Sequence, residues 1–228
     1  MVAAPAVPDA IRRAKEMPNL QVGLHLVVIE GPGVTRAFPS NQLRLGLEFA
    51  RHPRRLATEI RAQFEAFAAA GLKLTHADAH KHMHLHPVVG RLMIDIGREF
   101  GLRAIRVPAE PPAIMAALGV PQGPGARALH AWTRLLRRQA THAGLFTNDA
   151  AFGIALSGHM TRDRLLRLIP HLPPGVSELY FHPAACRDPT LDRLMPDYEH
   201  EAELAALLDP DVAAALAHVE LTSYAALA

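Results

Sequence analysis

The 228-residue sequence holds one cysteine, Cys186, one tryptophan and three tyrosines. A single cysteine excludes an intramolecular disulfide framework and a cysteine-based zinc site, and it fits a reducing, cytoplasmic setting. No apolar run reaches the roughly 18 residues of a membrane span. The first residues lack the charged and long apolar regions of a signal peptide. No dense lysine–arginine run is interleaved with aromatics, so a net charge of +2 and a pI near 9.0 carry no nucleic-acid footprint. Neither G-x-G-x-x-G nor G-x-x-x-x-G-K-[ST] occurs, which removes the common phosphate cradles. No G-x-S-x-G marks a serine hydrolase.

What is present fits a globular protein with a substantial core: 50% of residues are apolar and 20% charged. The pattern predicts helices that start at Pro8, Pro53 and Pro87 and stop at Pro18, Gly71 and Gly101. Leu56, Ile60, Phe64 and Phe67 fall on one helical face. Further helices are expected over 43–52, 111–119, 125–144, 161–168, 199–208 and 210–218. Apolar, β-branched runs predict strands at 20–29, 73–79, 102–108, 151–158, 176–183 and 219–224. Strands alternating with helices imply α/β architecture with a mainly parallel sheet, read as one domain over residues 1–228. In such folds function gathers at the C-terminal ends of strands.

Three histidine-bearing stretches sit at such ends: GLHL around His25, THADAHKHMHLHP over 75–87, and YFHP at His182. The middle one holds five of the fourteen histidines, at 76, 80, 82, 84 and 86, with Asp78 among them. These positions share parity, so an extended backbone would set all their side chains on one face. Imidazole is the commonest ligand for borderline divalent metals, and a catalytic ion wants about three protein ligands and an open position. The competing reading is a histidine-rich tract that binds metal only adventitiously. His182 is a candidate general acid and Arg106 a candidate anion-binding group. For each of them a purely structural role has equal standing. The arginines at 134, 137 and 138 read as a solvated helix face, with contact at a membrane surface as the alternative.

Together VGLHLV, LTHADAHKHMHLHP, GLRAIRVPAEPP, SGHMTRDRLLRLIPHLPPGVSELYFHPA and LDRLMPDYEHEAELAALLDPDV resemble the YdjC-type carbohydrate deacetylases, most of all the hopanoid biosynthesis-associated HpnK branch. The resemblance implies a distorted (β/α) barrel of the polysaccharide-deacetylase-like type. It implies hydrolysis of an N-acetyl group on an amino sugar or glycolipid with a divalent metal, Zn or Mg. By motif it assigns His25 and His80 as metal ligands, with His182 and Arg106 as catalytic groups. Asp78, His82 and His84 are then supporting or substrate-contacting residues. The family's D-D-F-G segment, source of a further ligand and of the general base, does not occur in these residues. The expectation is therefore a barrel lacking its first β/α unit of roughly 30–40 residues, with weak metal binding, low activity and an unpaired sheet edge that favours self-association into a homo-oligomer. The alternatives are an inactive deacetylase-like fragment keeping a vestigial metal or sugar site, or a plain metal-binding protein.

Overall fold

A computed structural model describes residues 1–228. In chain order the elements are α1 (Val7–Glu16), β1 (Leu24–Leu26), β2 (Gly31–Pro32), β3 (Ala37–Phe38), α2 (Gln42–Arg51), α3 (Pro53–Ala69), β4 (Ala77–Ala79), a 3-10 turn (His80–Leu85) and α4 (Pro87–Glu99). There follow α5 (Pro112–Ala117), α6 (Pro124–His142), β5 (Ala150–Phe152), α7 (Arg162–Leu168), a second 3-10 turn (Ile169–His171), β6 (Ser177–Leu179), α8 (Pro189–Leu194), α9 (His200–Leu207), α10 (Pro210–Ala215) and α11 (Tyr224–Leu227). The chain forms two compact units. One comprises residues 1–106, 132–147 and 222–228, the other residues 107–131 and 148–221.

In the first unit β1 and β4 pair in parallel. Bridges Ala77↔Ile105 and Ala104↔Phe146 add two further parallel staves beside β4. Leu24, Leu26 and Ala77 have no exposed surface, as expected of strands covered on both faces. The helix α3 begins at Pro53, where a missing N–H costs nothing. It buries Leu56, Ile60, Phe64 and Phe67 along one stripe, each worth about 1.5–3 kcal/mol of transfer from water. After α3 the chain turns at Gly71, whose φ of 69° suits glycine.

The second unit is built on parallel β5 and β6, with Phe152 facing Leu179 in register. Its core gathers Met115, Phe152, Met160, Leu165, Leu168, Ile169 and Val212.

The expected helices lie where the sequence places them, while α8 and α11 form where no helix was expected and the strands are shorter than expected. The 20–29 run is a ladder only over Leu24–Leu26, because the Gln63 side chain takes over beyond it. Its Nε2 donates to the Val27 carbonyl at 2.7 Å and its Oε1 accepts from the Val27 N–H at 2.9 Å. In the second unit Asn148 does the same for Val107, at 2.9 and 2.7 Å. The 151–158 run leaves the ladder at Gly153, whose φ is 117°. The 219–224 strand is not formed: that segment is coil leading into α11, and Leu221 is 75% exposed. The ladders are two parallel pairs, β1–β4 and β5–β6, and one antiparallel pair, β2–β3, with strands of three residues or fewer, and a closed barrel is not seen in them.

Candidate active site

The first unit carries a row of three polar side chains across three neighbouring staves. In the β1–β4 register His25 lies opposite Asp78, and the Ala77↔Ile105 bridge sets Arg106 beside Asp78 on the next stave. Adjacent positions in register project to the same face, and here that face is polar. The His25 Nδ1 lies 2.9 Å from Asp78 Oδ1, and Arg106 donates to the other carboxylate oxygen. Asp78 is 8% and Arg106 13% exposed at the side chain. Burial pushes the Asp78 carboxyl up, but the Arg106 guanidinium and the His25 ring outweigh it and hold the group well below the usual carboxylate range. An ionised Asp78 accepts only, so the His25 Nδ1 carries the proton and donates.

The histidine tract does not continue the strand. Residues 80–85 form a 3-10 turn in which Lys81 (φ 49°) and His82 (φ 54°) adopt left-handed conformations. The shared-parity expectation therefore fails: the backbone is not extended beyond Ala79, so the five imidazoles do not share a face. His80 stays near the row, its ring 5.7 Å from the His25 ring at 73°. The His82 ring lies 6.2 Å from that of His84. His84 is 1% exposed, and its Nε2 donates to the Arg106 carbonyl at 3.0 Å. Burial, reinforced by the charge of His82, lowers its pKa to about 3, so the ring is neutral. His76 stacks on Tyr224 at 4.8 Å, and His86 meets Phe49 edge-on at 6.1 Å. Lys81 pairs with Glu30, tying the turn to the segment after β1.

The donor set suits a borderline divalent ion in kind. Two neighbouring imidazoles are present, one backed by a carboxylate in the manner that fixes tautomer and raises ligand basicity. It falls short in number, since no group of three or more His, Cys, Asp or Glu side chains is placed to hold an ion together.

His182 belongs to the second unit, just beyond β6. Its backbone N–H donates to Glu203 Oε2, and its carbonyl accepts from His200 Nδ1 at 2.5 Å. The fully buried Glu203 also accepts from the Met160 N–H at 2.9 Å. The His182 ring packs edge-on against Tyr198 at 5.2 Å, and Tyr198 shares a 2.8 Å hydrogen bond with Ser157. Neither Glu203 nor Tyr198 was expected from sequence, since each sits in an ordinary helical or loop context. Glu110 was missed as well. Its carboxylate accepts from three successive N–H groups, those of Gly153, Ile154 and Ala155, at 3.2, 3.1 and 3.0 Å. The signal available for it is an acid set between prolines in PAEPP, four residues past the R-x-P arginine.

A family model described as YdjC-like protein matches residues 1–218. A carbohydrate deacetylase of Geobacillus stearothermophilus is 29% identical over 235 residues, spanning 98% of this chain and 83% of that protein. Another from Brevibacillus brevis is 37% identical over 119 residues, spanning 49% of this chain and 46% of that protein. A third, from Vibrio cholerae, is 30% identical over 112 residues and covers 44% and 43%. The match thus spans about half the length of the Brevibacillus and Vibrio relatives. Among solved structures, a candidate cellobiose-phosphate cleavage protein of Enterococcus faecalis superposes with a TM-score of 0.74 over 100% of this chain and 86% of that one. At 17% sequence identity this likeness concerns the fold.

Proposed function

Because the chain belongs to the YdjC-like family, we propose that it is a carbohydrate deacetylase, a hydrolase that converts the N-acetyl group of an amino sugar to a free amine and acetate. The observation that carries this reading is the His25–Asp78–Arg106 row with His80 beside it. The carbohydrate deacetylases among its relatives supply the substrate class.

On this reading His25 and His80 would contribute to holding a divalent ion, Zn or Mg, which when bound would supply Lewis-acid activation of water. The protein's part is positional and electrostatic. Asp78 keeps the His25 proton on Nδ1, and Arg106 keeps Asp78 ionised. The Arg106 cation also favours the oxygen that gains charge as the acetyl carbon turns tetrahedral. His84, neutral and bonded to the Arg106 carbonyl, holds that stave in place. The family's pattern gives His182, in the second unit, the role of proton donor to the departing amine, and within that unit the buried Glu203 accepts from its backbone N–H. A third ligand and the carboxylate that takes the water's proton belong to the D-D-F-G segment of the family's pattern, which these residues do not contain. The distorted barrel, the HpnK branch, a glycolipid substrate of the hopanoid type and a cytoplasmic location are further parts of the proposal.

The test pairs metal stoichiometry with amine release from an N-acetylglucosaminyl glycoside in Zn²⁺ or Mg²⁺. Loss of most bound metal in His25→Ala and in His80→Ala supports a defined site. A small graded loss in each would instead indicate a diffuse histidine tract. With two ligands, turnover is expected to be low but abolished by either substitution. Stoichiometric metal without any turnover would leave a vestigial site and defeat the enzymatic reading.

A further inference from the structure

From Pro111 to Asn148 the sequence contains no Asp or Glu. Within that stretch α6 carries Arg127, Arg134, Arg137 and Arg138, and it buries only Thr133, Leu136 and Ala140. At 3.6 residues per turn, Arg134 and Arg138 fall in one row on the opposite side, with Leu135 and then Trp132 in the adjoining sector. Trp132 is 49% and Leu135 37% exposed. The Trp132 indole N–H donates to the Leu85 carbonyl at 2.8 Å. The ring's polar atom is therefore satisfied by the turn that carries His80 and His84, while its apolar body faces water. On the other flank of that turn, the backbone of Gly46 in α2 bonds His86. There α2 exposes Leu43 at 77% and Leu47 at 48%, with Arg44 and Arg51 also exposed. The one acid of α2, Glu48, is taken by Arg36.

We propose that this face of the first unit is a docking surface for an anionic lipid bilayer. Trp132, Leu135, Leu43 and Leu47 enter the headgroup region, and Arg44, Arg134 and Arg138 meet lipid phosphates. Exposed leucines and a tethered tryptophan beside arginine rows are what an interfacial helix uses. A second copy of the chain is a poor occupant. A two-fold contact would bring each copy's arginines against the same acid-free helix of the other. Nucleic acid would answer the arginines but gain nothing from the leucines. Docking would place the His80–Leu85 turn beside the membrane surface. The inference concerns binding alone and stands or falls separately from the hydrolytic reading.

The protein contains a single tryptophan, and it lies on this face, so its emission reports docking directly. Vesicles of phosphatidylglycerol mixed with phosphatidylcholine are expected to shift Trp132 emission to the blue and to sediment the protein, less so as salt rises. An arginine near an anionic surface contributes about fivefold to partitioning. Arg134→Glu/Arg138→Glu is then expected to weaken binding by at least ~25-fold. Leu47→Ser/Leu135→Ser weakens it without altering the salt slope. Arg193→Glu on α8 should leave binding unchanged, and far-UV circular dichroism confirms that each variant is folded. Equal binding to pure phosphatidylcholine, or no binding, overturns the proposal. So does a blue shift that grows with protein concentration in the absence of vesicles, which would assign the face to copy–copy contact.

Discussion

Replacing Asp78 by asparagine keeps its shape and removes its charge. Arg106, 13% exposed at the side chain, would then be a nearly buried cation without its carboxylate. Breaking a buried pair from one side costs about 3–5 kcal/mol, because the remaining charge stays desolvated. The hydrogen bond from His25 also loses its ionic partner, which is worth about 1 kcal/mol of the roughly 1.5–3 that a bond to a charged group contributes. The expected loss is therefore about 4–6 kcal/mol, a large part of the stability of an ordinary domain. Urea unfolding at pH 7, extrapolated linearly, measures it. The double variant Asp78→Asn/Arg106→Met removes both charges and should be more stable than Asp78→Asn alone, with a coupling of about 2 kcal/mol or more. The same carboxyl sets an acid limb. Its folded pKa lies below the unfolded value of 3.8, so its stabilisation is complete above that value. It is lost as pH falls below it, where the unfolded chain takes up a proton first. Asp78→Asn should flatten that limb. A loss under about 1 kcal/mol with additive single and double variants would refute an electrostatic row.

Three further outcomes follow from individual side chains. Burial, and then the charge of His82, lowers the His84 imidazole from 6.5 to about 3. Between those values the unfolded chain binds a proton that the folded one refuses, so stability falls with acid and should be about 2 kcal/mol lower at pH 5 than above 6.5. His84→Gln should remove that part of the slope, and an unchanged slope in urea titrations would contradict it. Gly158 has a φ of 77°, and a Cβ there would lie 2.2 Å from the Tyr198 ring. Gly158→Ala should cost about 2–4 kcal/mol and lower Tm by roughly 6–10 °C, so a Tm within about 1 °C of the parent would count against the packing described. Glu203→Gln leaves one acceptor for two backbone donors and should cost about 1–3 kcal/mol. Faster amide exchange at His182 is the accompanying sign, and its absence would show that Glu203 does not hold that backbone.

The helices were legible because their signals are local. Pro53 and Pro87 sit at first helical positions, Gly71 and Gly101 take positive φ at the ends, and the α3 stripe repeats at helical spacing. The ends of strands were not legible, because what terminates them lies far off in sequence. Gln63 is 36 residues from Val27 and Asn148 is 41 from Val107. In each case a side-chain amide replaces the main-chain partner, and no apolar pattern announces that. Residues 219–224 have the composition of a strand but no neighbouring ladder to join, and propensity alone does not supply one. In the candidate site His25 was legible from its place on an apolar strand. Its pairing with Asp78 depends on register, which the sequence does not specify.

The histidine tract shows why residue type and backbone have to be read together. Parity suggested one polar face, and the chain instead spends two consecutive left-handed residues, Lys81 and His82, to turn away from the strand. Each such residue other than glycine costs about 1–2 kcal/mol, so the turn persists only because its surroundings over-determine it. The surroundings are visible. Lys81 is paired with Glu30, Met83 is 3% exposed, and His84 is bonded to the Arg106 carbonyl. The effect of the turn is to divide the labour among imidazoles that an extended strand would have set side by side. It leaves His80 beside His25 and carries His84 to the backbone of Arg106, behind the charged row. A straight strand of histidines would offer many equivalent, weakly defined ligand positions. The strained turn instead leaves one imidazole pair, of which His25 is held by a buried carboxylate that fixes its orientation.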